Sequence, residues 1–490
     1  MTTIPFSENI YPAASDSHLR DRFLGKRVED LPTPVAILDE RVLRRNCELM
    51  LQATKALGIG FRPHVKTHKT TQLTRLQLGP DGDGKVVVST VREAEALIPL
   101  IKEGVVKDVL YGLPLPPSTI PRLSALLASF PSLIISVLVD HPSQLLALVD
   151  SLVPGQSWPI FIKLDMGSRR AGVDVESEAF KTLLGIIRDT ELEVAGKVFL
   201  KGFYCHAGHS YAASGTNSAF KLLNAELEAG KRAVGFARTE FGLSAASSRE
   251  WTISLGATPT AIAAAFVSTY PESENGRDFA TAMKVYADIK VELHAGVYTM
   301  LDLQQLSTRV MPPPNELGVG DIAISILAEV VSIYPGRGEN GGDEALVTAG
   351  TVGLGREPGK EWAGWGVVSN WGLDSESVSG AAKESGWIVG RISQEHGILT
   401  EKEKGAGGKL EVGKKVKIWP QHACIAGSGH GWYFVVDEND VVKDVWAEFT
   451  EDSQNYLQVE WELPRHYIPL NEVKGYAPPD PTPGRQKQHS

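Results

Sequence analysis

The chain is 490 residues long, with 49 Lys and Arg against 59 Asp and Glu, a net charge of -10 and 42% hydrophobic residues. That length exceeds the ~250 to 300 residues at which a single hydrophobic core stops growing, so two domains are expected. The acidic balance argues against a nucleic-acid backbone or an anionic membrane as main partner and leaves small anionic molecules open, since one local basic pocket suffices for them.

The three cysteines, Cys47, Cys205 and Cys424, are far apart and odd in number, which argues against a disulfide framework and for a reducing compartment. Met1 to Arg20 has neither a basic start nor an apolar centre, and the most apolar region, Leu133 to Val153, is broken by Asp140, His141 and Pro142. Neither a secretory signal nor a membrane span is expected, and the expected location is cytoplasmic.

After a polar leader, residues 1–30, short β-rich apolar runs alternate with amphipathic helical segments. Pro34 to Leu38 reads as the first strand. Asp39 can cap the helix that follows to Leu57, with Val42, Leu43, Cys47, Met50, Leu51 and Thr54 on one side. Ile59 to Val65 reads as the second strand and leads into Lys66-Thr67-His68-Lys69-Thr70, a basic cluster. Lys85 to Ser89 is a third strand, running into Thr90-Val91-Arg92-Glu93, a capping box. Asp108 to Tyr111, Leu133 to Val139, Pro159 to Leu164, Val198 to Cys205 and Trp251 to Leu255 continue the series, and Asp288 to Leu293 adds one more candidate. Strands separated by helices in this number indicate a (β/α)8 barrel over residues 31–315, whose active site would lie where strands give way to loops. Lys66, the Asp165 to Arg170 loop, the His206 to Tyr211 loop and the Gly256 to Thr260 loop all follow strands and would share one mouth.

Over residues 316–475 the pattern changes to strands without intervening helices: Ile322 to Tyr334, Ala345 to Ala349, Trp387 to Ile392, Lys415 to Trp419, Trp432 to Val436 and Val441 to Phe449. An antiparallel β domain is expected. Gly336 to Asp343 and Glu401 to Gly408 read as flexible insertions, and residues 476–490 as a disordered tail.

Three patterns could carry chemistry. A lysine at a barrel strand's end can form a Schiff base, and Lys66, Lys69 and Lys163 qualify by position; each also fits a solvated lysine paired with a carboxylate. Gly256-Ala257-Thr258-Pro259-Thr260 could cradle a phosphate with backbone amides and hydroxyls, or could be a plain proline turn. His422 and Cys424 alternate on an apparent strand and form a soft donor pair suited to Zn2+, though a buried cysteine beside a core histidine has the same pattern.

Seven segments, in order and spacing, resemble the D-serine dehydratase family. They are Leu31-Pro32-Thr33-Pro34, Arg62 to Lys69, Asp165 to Val173, His206 to Tyr211, Ala257 to Thr260, Glu292 to Tyr298 and Pro420 to Cys424. That family belongs with the D-threonine aldolases and, more distantly, the alanine racemases among the barrel-type, fold type III pyridoxal-phosphate enzymes. The resemblance implies that Lys66 anchors pyridoxal phosphate and serves as base. It implies that Arg170 meets the ring edge, that His206 lies near the ring, that Tyr211, Gly256 and Thr258 hold the phosphate, and that Gly296 and Tyr298 lie beside the cofactor. His294 takes the place where alanine racemases put an arginine near the pyridine nitrogen. The aldolase branch generally shows Asp in place of the Cys and uses a harder ion, so His422 and Cys424 imply zinc and dehydration. The implied reaction removes water from D-serine, or a similar D-3-hydroxy amino acid, giving pyruvate or the matching 2-oxo acid and ammonia. A homodimer is also implied. An aldolase-like cleavage of Cα from Cβ, and a non-catalytic pyridoxal-phosphate-binding protein, are the alternatives.

Overall fold

Short β-branched runs, most of them buried on both faces, organise the chain into two sheets, seen in a computed structural model that describes residues 16–449 apart from 244–248, 285–288, 313–314, 340 and 374–382. The expected disordered tail lies outside the described residues, as do the ends of the leader and of the β domain. In chain order the strands are β1 (Val35–Asp39), β2 (Gly60–Phe61), β3 (Lys85–Val88), β4 (Asp108–Pro114), β5 (Ile134–Val139), β6 (Trp158–Leu164), β7 (Val198–Cys205), β8 (Trp251–Leu255) and β9 (Ile289–Leu293). They continue with β10 (Ile324–Tyr334), β11 (Glu344–Val347), β12 (Gly366–Ser369), β13 (Glu384–Ile392), β14 (Gly397–Glu401), β15 (Lys415–Pro420), β16 (Trp432–Val436) and β17 (Val442–Ala447).

Eight parallel strands form the barrel in the order β2-β9-β8-β7-β6-β5-β4-β3. β2 is short, and Pro63 just beyond it has no N–H to give toward β3. The ladder still continues past it: Arg62 N–H donates to Leu293 O at 2.9 Å and His64 N–H to Ala295 O at 2.8 Å. On the other side Val87 N–H donates to Pro63 O at 2.8 Å, which brings β3 against this stretch and closes the ring.

The first strand expected for the barrel, Pro34 to Leu38, is not part of it. β1 lies in the nine-stranded sheet between β10, with Ala36 opposite Ile326, and β16, with Ile37 opposite Phe434. The extra candidate at Asp288 to Leu293 supplies β9 and completes the barrel instead, so the barrel strands begin at Gly60, well inside the expected 31–315 span. A short run buried on both faces reads identically in a parallel barrel and in the core of another sheet; only its partners differ. Part of the expected leader also folds, because Leu19 and Phe23 of the helix Asp16–Phe23 are buried, with the Phe23 ring 4.9 Å from that of Phe434.

Inside the barrel, Val87, Leu110, Leu138, Phe161 and Tyr204 make one apolar layer. Asp108 shares the parity of Leu110 on β4 and therefore points inward below it. There fully buried Arg62 bonds Asp108 at 2.8 Å and Glu292 at 2.7 Å, while Lys201 reaches Asp108 at 3.0 Å. Burial works against the Asp108 charge, yet Arg62 and Lys201 outweigh it and hold the carboxyl at about 2.

The remaining strands form the expected β domain, with β12 and β14 added to those read from sequence. The two loops expected to be flexible are tied together through Glu401, whose carboxylate accepts from Asp343 N and Gly405 N at 3.0 Å and from Gly407 N at 3.2 Å. Among the described residues no helix is long and apolar enough to cross a membrane.

Candidate active site

Lys66 occupies the one-turn helix Val65–Thr67 just beyond β2. Its neighbours Val65 and Thr67 are buried, and Lys66 itself is half-buried, so the turn is anchored on both sides of the lysine. His64 N δ1 accepts the Lys66 backbone N–H at 3.3 Å, which puts the imidazole proton on Nε2, facing Ser89 Oγ at 3.2 Å. Gly296, after β9, presses on the same turn: a Cβ there would lie 3.1 Å from His64 O and from Thr67 Oγ1. The other two lysines are differently placed. Buried Lys163 donates to Leu164 O at 2.7 Å, and Lys69 lies beyond the turn with a left-handed φ of 48°.

The loops after β7 and β8 meet opposite this turn. His206 Nδ1–H donates to Gly256 O at 2.7 Å, leaving Nε2 as the bare acceptor. Burial, then Lys163 and Lys66, push the His206 pKa down to about 3, so the ring is neutral. His294 lies 5.8 Å from the His206 ring and stacks on Tyr204 at 4.2 Å. Gly256 has φ 133°, and a Cβ there would come within 2.4 Å of His294 O, so no side chain fits. Ala257 N–H donates to Thr260 Oγ1 at 2.8 Å, which shapes the start of the helix Thr258–Thr269.

Three buried polar atoms around this mouth have no hydrogen-bond partner among the described residues: Thr258 Oγ1, Ser210 Oγ and His294 Nε2. Each such atom costs roughly 1–3 kcal/mol, and their gathering at one opening marks a place for a polar ligand. Tyr211 borders it, with Cys424, Asp302, Arg170 and the Thr258 backbone as neighbours, and burial raises its hydroxyl pKa. The exposed Arg170 guanidinium and the His206 ring both come within 3.8 Å of where a Gly208 side chain would stand. Tyr298 is placed otherwise: its ring meets Phe61 edge-on at 5.7 Å, and it lines a 300 Å³ cavity with Asn46, Met50, Ile262 and Leu301.

His422 and Cys424 are not on a strand as expected. β15 ends at Pro420, and His422 is the N-cap of the helix Ala423–Ser428. Asp302 imposes this turn by accepting the Ala423 N–H at 2.8 Å while capping its own helix through Gln305 N at 2.8 Å. The His422 imidazole bonds Glu357. Burial opposes a charge on His422, but Cys424, Asp302 and Glu357 outweigh it and raise its pKa to about 9. Cys424 Sγ is 3.3 Å from Thr67 Oγ1, one residue from Lys66. Among the described residues no group of three or more His, Cys, Asp or Glu gathers as a metal set. Asp302 and Glu357 carry no sequence signal: each is a lone acid, and only packing brings it beside His422.

Residues 38–263 match the family described as "Alanine racemase, N-terminal domain", and residues 323–436 match "Putative serine dehydratase domain". The D-serine dehydratase of Schizosaccharomyces pombe is 38% identical over 448 residues, 90% of this chain and 97% of that protein. Among solved structures, D-threo-3-hydroxyaspartate dehydratase from Delftia sp. HT23 superposes with a TM-score of 0.68 at 25% identity, covering 86% of this chain and 99% of that one. A cysteine-to-alanine mutant of the same enzyme, in the metal-free form, matches with the same TM-score, identity and coverage. An alanine-racemase-type barrel joined to a β domain, and identity of this extent over nearly the whole length, show that the chain belongs to the D-serine dehydratase family.

Proposed function

We propose that this protein is a pyridoxal-phosphate- and zinc-dependent dehydratase that removes water from D-serine, or a D-3-hydroxy amino acid of similar shape, to give a 2-oxo acid and ammonia. The observation that carries this reading is the contact between Thr67 and Cys424, which joins the Lys66 turn to the His422–Cys424 pair.

The mouth has the features a pyridoxal phosphate needs. Lys66 would anchor it, with Gly256, Thr258 and Tyr211 around the phosphate, Arg170 and His206 toward the ring, and Gly296 leaving room beside the lysine turn. The unpartnered Thr258 Oγ1, Ser210 Oγ and His294 Nε2, and the Gly256 position closed to any Cβ, fit that occupant. When bound, the cofactor supplies an electron sink for the bond broken at Cα. Lys66 would take the Cα proton, and the buried Val65 and Thr67 on either side hold the backbone turn that carries it. His206, neutral and locked by Gly256 O, offers an acceptor rather than a second positive charge.

His422 and Cys424 have the donor chemistry of Zn2+, and a carboxylate behind the imidazole, Glu357, is the usual orienting partner of a metal-bound histidine. Two protein ligands leave positions open, and the solved D-threo-3-hydroxyaspartate dehydratase with a cysteine replaced by alanine, in a metal-free form, supports a metal at the matching kind of residue. The ion would supply Lewis acidity at the leaving hydroxyl, because hydroxide is a poor leaving group: water's pKa of 15.7 falls to roughly 7–9 on zinc.

The test is one assay series on D-serine with product analysis. Wild type gives pyruvate and ammonia and a borohydride-trapped cofactor chromophore; Lys66→Ala loses both. Chelation or Cys424→Ala keeps the chromophore and lowers turnover by at least about 100-fold. Glycine and an aldehyde from D-threonine as the main products, or full turnover after complete metal removal, would sink the proposal.

A further inference from the structure

Glu226 lies in the interior of the helix Thr216–Glu240, fully buried against the barrel. An acid in that setting is unfavourable unless several groups need it, because burial strips its hydration. Its Oε1 accepts the Ala207 N–H at 2.6 Å, a short charge-assisted bond. Its Oε2 is buried without a hydrogen-bond partner among the described residues, with the Gly256 backbone, the Thr260 side chain and Lys163 close by, and burial raises its pKa to about 7 against their pull. Lys163 donates to Leu164 O, and no hydrogen bond joins it to the unpartnered Glu226 Oε2 among the described residues.

These partners belong to two different loops. Ala207 follows β7 and sits next to His206; Gly256 follows β8 and leads into Thr258. Two more bonds close a circuit around the carboxyl: His206 Nδ1–H to Gly256 O at 2.7 Å, and Ala257 N–H to Thr260 Oγ1 at 2.8 Å. The helix layer therefore reaches through one side chain to the loop that orients an imidazole and to the loop that shapes a helix N-terminus.

We infer that Glu226 is a positioning residue which fixes the His206 loop against the Gly256–Thr258 loop and so sets the spacing between the ring-facing imidazole and the phosphate cradle. This rests on pyridoxal phosphate occupying the barrel mouth. The carboxyl bonds the first loop directly at Ala207 N–H and packs against Gly256 and Thr260 of the second, so its effect passes through the placement of the two loops.

The experiment titrates full-length apoprotein with pyridoxal phosphate, reading Kd from protein fluorescence and ring orientation from the circular dichroism induced in the cofactor band. Wild type is the control: if it does not bind pyridoxal phosphate, the functional reading fails, and with it the premise. Given wild-type binding, Glu226→Ala raises Kd by at least about tenfold and changes the induced band, while Glu226→Gln, which keeps an acceptor for Ala207 N–H, stays within about threefold of wild type with an unchanged band. Wild-type Kd and band in Glu226→Ala overturn the inference, as does equal impairment of both variants, which would make the charge and not the grip decisive. If Glu226→Ala does not fold, Glu226→Asp replaces it, drawing the oxygens back by one methylene. A tenfold weaker Kd with an unchanged thermal midpoint then supports the inference, and a wild-type Kd overturns it.

Discussion

At the scale of single residues, the barrel mouth is controlled by histidines whose tautomers are set by the backbone. His64 accepts the Lys66 N–H, His206 donates to Gly256 O, and His68 accepts the Thr70 N–H at 3.1 Å while its Nε2 faces Gln77 Oε1 at 2.9 Å. His64 and His68 accept a backbone N–H at Nδ1, so protonating either ring there breaks that bond, whereas His206 keeps its bond to Gly256 O in either state. Burial pushes His68 from its ordinary 6.5 to about 4. The sign follows from linkage: a histidine depressed in the folded state contributes stability that is full above 6.5 and is lost as pH falls toward 4, where only the unfolded chain binds the proton. Buried Glu226 and Glu448, each raised to about 7, act in the opposite direction over part of the same range. The clean measurement is therefore a difference. Urea unfolding of wild type and His68→Gln from pH 7 to 4 shows the wild-type advantage shrinking by a few kcal/mol as pH falls; a constant difference would mean that His68 does not titrate this way.

At the scale of elements, strand identity was more legible than strand partnership. The runs at Lys85, Asp108, Pro159, Val198 and Trp251 all became barrel strands, because each ends near a helix-start signal and alternates strand with helix. Pro34 to Leu38 has the same local pattern and a different destination, since nothing within its own residues distinguishes a barrel neighbour from β10 and β16. Arg62 shows the related limit: in sequence it is a charge on the second expected strand just before a basic cluster, yet in the fold it is a fully buried tie between β2, β4 and β9. Arg62→Met leaves Asp108 and Glu292 buried without their shared cation. The expected cost is roughly 3–5 kcal/mol, measured as a lower urea midpoint, because breaking a buried ion group by removing one partner strands the other charges. A loss below about 1 kcal/mol would show that Lys201 and Lys85 alone can hold both acids.

At the scale of the whole molecule, the two sheets are interleaved along the chain. β1 enters the nine-stranded sheet before the barrel strands begin, and β10 returns to it after they end. A fragment of residues 316–449 thus lacks the strand that separates β10 from β16 and presents two unpaired edges, which favour aggregation. It is expected to be insoluble when expressed alone, whereas the full chain is recovered in the supernatant; a soluble, cooperatively unfolding fragment would show that β1 is dispensable. The interleaving also explains how Cys424 comes to lie 3.3 Å from Thr67 across 357 positions of sequence.

By itself the sequence determined the barrel-plus-β architecture, because that depends on local periodicity and turn chemistry; Lys66, the Gly256 loop and the His422–Cys424 pair stood out only through the order and spacing of seven segments that resemble one family. Tertiary structure alone decided which sheet received β1, that His422 and Cys424 meet at a strand-to-helix turn, that Tyr298 packs on Phe61 and lines a cavity with Asn46 and Met50, and that Glu226, Asp302 and Glu357 bond Ala207 N, Ala423 N and His422. Those outcomes rest on contacts between residues far apart in the chain, and the energy of a buried charge is fixed by the partners that surround it, not by the residues beside it in sequence.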